Sequence, residues 1–424
     1  MRITLLLLLT SMTSFIWSGP LRGQQVTSAY TAPHIGSVRL HPQGAPLGGP
    51  FLELNGEAPL ILKFDDLSGE WPDYALQLVH CTADWRRASD LTEWDYIEGW
   101  SPARLDNIES SFGTSIPFTH ISATVPSDDL RPTRSGNYLL IVHTDGDEED
   151  VVLIRRLVVY ERLADVEVNV KRPYQADRVT THQRLEVEVT LPPGHRWSVP
   201  IMDIRLSILR NVDWSQAGID IQASLVRGDV VRFDQDDKLT FPGSDRWRSA
   251  DLKSLAYLAP GIDAIRESRG GDGPLWKVQL GKDASRRFRL QTSRPDLNGA
   301  FTVHNDRFDD VELSSDYLEV DFRLEHKDFG DVPEVYVFGA LTGWSLDPAF
   351  RMSYDDDAQE YRLTRWMKQG WYDYRYVTMD DGSSLHAFEA DHATTPNMYT
   401  VFVHAPGPDG EDRIIGMEAR STLN

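Results

Sequence analysis

Short runs in which apolar and polar positions alternate dominate this chain. They include Leu60-Ile61-Leu62-Lys63-Phe64, Tyr138-Leu139-Leu140-Ile141-Val142, Leu185-Glu186-Val187-Glu188-Val189, Leu318-Glu319-Val320-Asp321-Phe322 and Val335-Tyr336-Val337-Phe338. Turn-forming residues separate them, among them Ser135-Gly136-Asn137, Asp145-Gly146, Pro192-Pro193-Gly194 and Asn298-Gly299. Many short strands punctuated in this way predict an all-β protein built of sandwiches. Helical periodicity is nearly absent, and the best stretches, around Trp247 to Leu252 and Trp94 to Glu98, amount to one or two turns. The pattern divides into three consecutive immunoglobulin-like β-sandwich domains, expected over residues 24–163, 164–312 and 313–424. The third would open near Leu313, with Glu325 to Pro333 as a turn within or just before it.

The first residues read differently. Arg2 precedes an apolar stretch from Leu5 to Trp17, and small and polar residues follow as far as Gly23. That is the layout of a secretory signal peptide, too short to span a membrane with flanks of its own. Residues 1–23 are therefore expected to be cleaved. No cysteine follows to carry a lipid anchor, and no later stretch is apolar enough to cross a bilayer, so an exported, soluble protein is expected.

Charge and cysteine count narrow the classes. With 43 Lys+Arg against 65 Asp+Glu among 424 residues, the formal charge is −22. This argues against nucleic acid, whose phosphates are bound through Lys and Arg, and against anionic lipid. The single cysteine, Cys81, cannot form an intrachain disulfide, so packing must supply the stability. His80 beside it lies on a strand-like run where neighbours point to opposite faces, so a buried structural thiol is expected rather than a nucleophile.

Candidate chemistry is sparse. The nucleophile elbow, the His-Glu-x-x-His helix and the phosphate-binding loop are all missing from the sequence, and the 12 histidines lack metal-ligand spacing. No enzyme activity, cofactor, metal or small-molecule ligand is expected. The acidic run Asp145-Gly146-Asp147-Glu148-Glu149-Asp150 could hold calcium, but without the spaced ligands of an EF-hand loop it reads more simply as a charged hairpin turn.

Aromatic residues offer more. Trp85, Trp94, Tyr96 and Trp100 lie in one long connection between strands. Aromatics in such loops form recognition surfaces, or else fold back to cap the sandwich. These four are the candidate partner-binding residues. A second set, Trp344, Trp371 and Tyr374, lies toward the C-terminus. The stretch from Val335 to Val377 resembles the immunoglobulin-like module of glycogen- and starch-binding proteins, where exposed tryptophans stack on sugars. An exported glycan-binding protein using these three residues is the alternative reading.

Taken in order, further short motifs resemble the type IX secretion system plug protein family of Bacteroidetes. The N-terminal ones are Phe64-Asp65-Asp66-Leu67, His80-Cys81-x-x-Asp84-Trp85, Asp95-Tyr96-Ile97-Glu98-Gly99 and Ser110-Ser111-Phe112-Gly113-Thr114. Phe118-Thr119-His120, Ser135-Gly136-Asn137-Tyr138 and Arg155-Arg156 follow. Later come Asn211-x-x-Trp214, Asp296-x-Asn298-Gly299, Val335-Tyr336-Val337-Phe338-Gly339 and Asp412-Arg413-Ile414-Ile415-Gly416. The resemblance implies a periplasmic, non-enzymatic protein that binds the periplasmic mouth of a giant outer-membrane translocon barrel and occludes it when idle. The family's interface positions are not carried over to residues of this chain.

Overall fold

The computed structural model describes residues 29–422, apart from 271–272, 292–293, 327–331, 381–382 and 386–387. The expected leader, the tip of the Gly-rich stretch after Ser268 and the centre of the Glu325 to Pro333 turn lie outside the described residues. The chain is all-β as expected, with strands joined by a few single helical turns. Among the described residues nearly all strand pairs are antiparallel, and two are parallel: Phe51–Glu53 on Asp147–Tyr160, and Gly273–Leu280 on Tyr317–Glu325.

Two sheets enclose the first large apolar cluster. One carries Asp147–Tyr160, Gly136–Thr144 and Tyr74–Cys81 side by side, and the other Ile35–Pro42, Leu60–Asp66, Thr119–Val125 and Asn107–Ser110. Phe64, Leu62 and Ile121 of the second sheet meet Leu78, Tyr138 and Leu140 of the first, all fully buried. A second cluster lies between a sheet containing Asp165–Lys171 and His182–Thr190 and another ordered Asp213–Gln222, Arg205–Arg210, Met398–Pro406, Asp412–Ser421. A third draws on Arg248–Asp251, Ile262–Gly270 and Gly273–Leu280 together with Tyr317–Glu325, Glu360–Lys368 and Gly370–Asp380.

These pairings correct the expected boundary at 312/313. Arg248–Asp251 pairs with Gly370–Asp380, with Ala250 opposite Tyr372, and Val278 lies opposite Val320. The last two strands instead return to the second cluster, where Arg210 faces Tyr399 and Leu206 faces Val403. The residues from about 245 to 395 are therefore inserted between strands of one sheet. A linear reading of periodicity carries no information on such a return, because strand pairing is long-range. The same pairing overrides the helical turn expected from Trp247 to Leu252, which is a strand at Arg248–Asp251. The other expected turn is a short 3-10 turn, Glu93–Asp95, followed by the strand Ile97–Gly99.

The continuous apolar runs have their own explanation. Leu140 and Val142 face the first cluster, while Leu139 and Ile141 leave by the opposite face and join Val79, Ile154 and Val158 against Leu209, Phe402 and Ile414. This sheet is buried on both faces because the sheet of Arg205–Arg210 and Met398–Pro406 packs on its back. Phe402 likewise turns away from Val401 and Val403, which sit in the second cluster. Antiparallel sheets more often keep one face in water. Here the unbroken runs mark the strands where neighbouring sandwiches are stacked.

Candidate functional site

The long aromatic connection splits into two kinds of residue. Trp85 follows a tight turn closed by its own N–H donating to the Thr82 carbonyl at 2.9 Å, and with φ of 61° it adopts a left-handed conformation that non-glycine residues rarely take. Its ring is 4% exposed and packs edge-on against Trp214, with centroids 5.0 Å apart. Tyr96 is 7% exposed and meets His80 and Tyr138. Both belong to the core, so neither serves as a contact residue in the folded chain. Trp94 and Trp100 differ, being 84% and 75% exposed. Trp94 is presented on the 3-10 turn Glu93–Asp95, where the Asp95 carboxylate accepts from both the N–H and the hydroxyl of Thr92 at 2.7 Å. Those bonds hold the Asp95 carboxyl below its ordinary range. Trp100 is set at the end of Ile97–Gly99, which pairs with Leu130–Pro132, by its N–H donating to the Asp129 carbonyl at 2.6 Å. A rigid turn and a two-stranded ribbon thus hold two indoles in water, where burying them against a partner has most to gain.

The second aromatic set does not form a platform. Tyr374 is buried and donates to Asp283 at 2.8 Å. Trp371 is half-buried, its indole N–H held by Asp373 at 3.0 Å. Trp344 is half-buried against Trp247 and Phe338. Burial of Tyr374 removes the ring the alternative reading needs for sugar stacking. The acidic run from Asp145 opens the hairpin between Gly136–Thr144 and Asp147–Tyr160, with Gly146 in the left-handed region at φ 81°. Thr144 donates to Asp150 there at 2.6 Å. Among the described residues no group of three or more His, Cys, Asp or Glu is gathered as a metal site. Cys81 is buried and its thiol is pushed up to about 12 by burial, as a structural cysteine would be.

Several motif residues do something else: they make joints between packed sheets. Lys368 Nζ donates to Asp65 at 2.7 Å, both side chains wholly buried, and His120 and Tyr317 complete the carboxylate's partners at 2.6 and 2.7 Å. Burial alone would raise the Asp65 carboxyl, but Lys368 and His120 overcome it and hold the group below its ordinary value. Nearby, Glu312 takes Arg39 and Lys63 from the first sandwich at 2.5 and 2.8 Å. Other motif residues act within a single layer: Asn211 and Asn397 share a buried bond at 2.7 Å at the end of the paired strands Arg205–Arg210 and Met398–Pro406, and Asp296 accepts from the Trp247 N–H at 2.8 Å. Ile414 N donates to the Ser135 hydroxyl at 3.3 Å, and its carbonyl takes the Glu161 N–H at 2.8 Å. Arg156 lies against both Trp85 and Trp214, its Cζ 4.9 Å from each ring centroid.

Behind these joints lies a cleft of about 740 Å³ lined from the sheets around all three clusters. Arg155, Arg156 and Phe51 come from the first, Trp214, Met398 and Met417 from the second, and Leu297, Phe301 and Trp344 from the third. Sequence reasoning did not find it. Its one usable signal was that the short motifs fall on its walls, at Arg155-Arg156, Asn211, Trp214, Asp296 and Asn298.

Residues 35–161 match the family model for the type 9 secretion system plug protein first domain. Over nearly its whole length the chain has the fold of a hypothetical protein from Parabacteroides merdae ATCC 43184, known from a crystal structure at 2.30 Å resolution. The two share 23% identity with a TM-score of 0.87, over 94% of this chain and 100% of that one. The partial N-terminal region of an enterococcal surface protein aligns over 94% of this chain and 96% of its own. Its 7% identity and TM-score of 0.19 show no shared fold. No curated protein matches the chain significantly.

Proposed function

We propose that this chain, whose residues 35–161 are a type 9 secretion system plug protein first domain, is the periplasmic plug of that system's outer-membrane translocon. It binds the periplasmic mouth of the barrel and blocks it while no cargo is engaged. The match over residues 35–161 carries this reading. The shape of the molecule supports it: buried polar joints lock the sandwiches into one obstruction, and a plug works by occupying space without any catalytic group. Translocon barrels of this class are too wide for their own side chains to fill, so a resting pore needs a separate body. Trp94 and Trp100 are the contact residues that the reading retains from the aromatic connection, while Trp85 and Tyr96 hold its base. An acidic chain attaches to such a site through protein contacts, since anionic lipid repels it.

Mild detergent extraction of the outer membrane followed by pull-down on the tagged chain tests the partner. The large barrel protein is expected to co-purify, and its absence from every preparation would contradict the assignment. Deleting the gene is expected to let large hydrophilic molecules cross the outer membrane, and unchanged permeability would contradict occlusion.

A further inference from the structure

The central cleft has the chemistry of a binding site. Its walls are apolar and polarisable: Phe51, Trp214, Met417, Phe301 and Trp344. Two cations reach it with no ion pair to a carboxylate among the described residues. Arg155 is held by neutral oxygens, donating to the Tyr30 and Ile154 carbonyls at 2.8 Å each and to the Thr31 hydroxyl at 2.9 Å. Arg156 lies against two indoles that meet edge-on, its Cζ 4.9 Å from each ring centroid, and its buried Nε has no hydrogen-bond partner. Other cations on the cleft wall are neutralised, Arg39 by Glu312 and Arg162 by Glu53 at 2.8 Å. Burial pulls both Arg155 and Arg156 down to about 10, so both remain charged at neutral pH. A chain with an excess of carboxylates has thus left two guanidinium groups without one, at the edge of an apolar cleft. Charge partly withdrawn from water without a counter-charge is unfavourable, and a guanidinium is shaped to bind a carboxylate.

We propose that the cleft binds a carboxylate carried on an apolar chain, with the head at Arg156 and the tail along the Trp214, Phe301 and Trp344 walls. The two indoles pack against the guanidinium and offer it no acceptor, so its N–H groups are left for the head. A fatty acid and the free C-terminus of an apolar peptide both present this chemistry. This inference does not depend on the plug reading, because the cleft lies apart from Trp94 and Trp100.

The test is calorimetric titration of the full chain with four probes. These are dodecanoate below its micelle concentration, dodecanol, a five-residue apolar peptide with a free C-terminal carboxylate, and the same peptide amidated. At least one carboxylate is expected to bind, about 10-fold or more tightly than its uncharged counterpart. Binding by dodecanoate alone names a fatty acid, and binding by the free peptide alone names a chain terminus. Arg156→Gln is expected to weaken binding about 10-fold. Should that variant fold poorly, Ala419→Trp, on an exposed strand position at the cleft wall, is expected to abolish binding while leaving the melting temperature of the free chain unchanged. Equal binding of charged and uncharged probes, no binding at millimolar concentration, or unchanged binding in Ala419→Trp would overturn the proposal.

Discussion

Lys368 and Asp65 stand 303 residues apart in sequence, yet their charged atoms meet at 2.7 Å with neither side chain exposed to water. The pair ties the strand Leu60–Asp66 to the strand Glu360–Lys368 of another sheet. Breaking such a pair leaves a charge buried alone, which costs about 3–5 kcal/mol. Asp65→Asn and Lys368→Met are each expected to lower unfolding free energy by that amount in urea titrations. The double variant Asp65→Asn/Lys368→Met is expected to lose less than the two single variants together. Additive losses would show that the two side chains are not coupled.

The exposed and buried tryptophans of the aromatic connection separate stability from recognition. Trp85→Ala empties a site packed by Trp214 and Arg156, and large-to-small core changes of this kind cost about 3–5 kcal/mol. Trp94→Ala/Trp100→Ala removes indoles that touch mainly water and is expected to leave the melting temperature within about 2 °C. Only the second variant is expected to fold normally and lose the barrel in pull-down. A folded double variant that still brings down the barrel would move the contact elsewhere.

Acid should loosen the molecule in two stages. His80 and His404 are buried and held neutral, each pushed down to about 4 mainly by burial. In the unfolded chain they titrate near 6.5. Their neutral forms therefore favour folding fully above about pH 6.5, and that contribution declines as pH falls toward 4. Asp65 and Glu312, held below their ordinary range, contribute above about pH 4 and lose that contribution below it. Asp373, pushed up to about 6 chiefly by burial, works the other way and offsets part of the first stage. His404→Phe is expected to flatten the decline of stability between pH 6.5 and 4, by a contribution on the order of 3 kcal/mol. An unchanged slope in chemical denaturation across that range would contradict this.

Gly136 tests the packing beneath the tyrosine cluster. Its φ of 151° lies in a region that residues with a Cβ rarely adopt, and an added Cβ would run into the ring of His80. Gly136→Ala is expected to destabilise the chain by about 1–3 kcal/mol, read as a lower urea midpoint with an unchanged slope.

Fold class was legible because strand periodicity and turn residues are local. The runs around Leu60, Leu185 and Leu318 are strands as expected. What stayed hidden is long-range. Nothing in Met398–Pro406 says that it pairs with Arg205–Arg210, or that 150 residues are inserted before it. The unbroken run at Tyr138 to Val142 did hold a clue, since only a sheet covered on both faces needs one. The aromatic connection is half legible: its tryptophans and Tyr96 stand out, but alternation in an irregular loop cannot tell Trp85, turned inward by its own left-handed conformation, from Trp94 on a turn. Ordered motifs such as Asp65 and Arg156 were visible as a pattern, and their role as joints emerges only when distant strands are brought together.

Conductance reads occlusion of the pore without an intervening assay. Purified translocon barrel in a planar bilayer is expected to pass a large, steady current that falls when the full chain is added to the periplasmic side. Trp94→Ala/Trp100→Ala should require a higher concentration for the same block. A current unaffected by saturating wild-type protein would contradict the account.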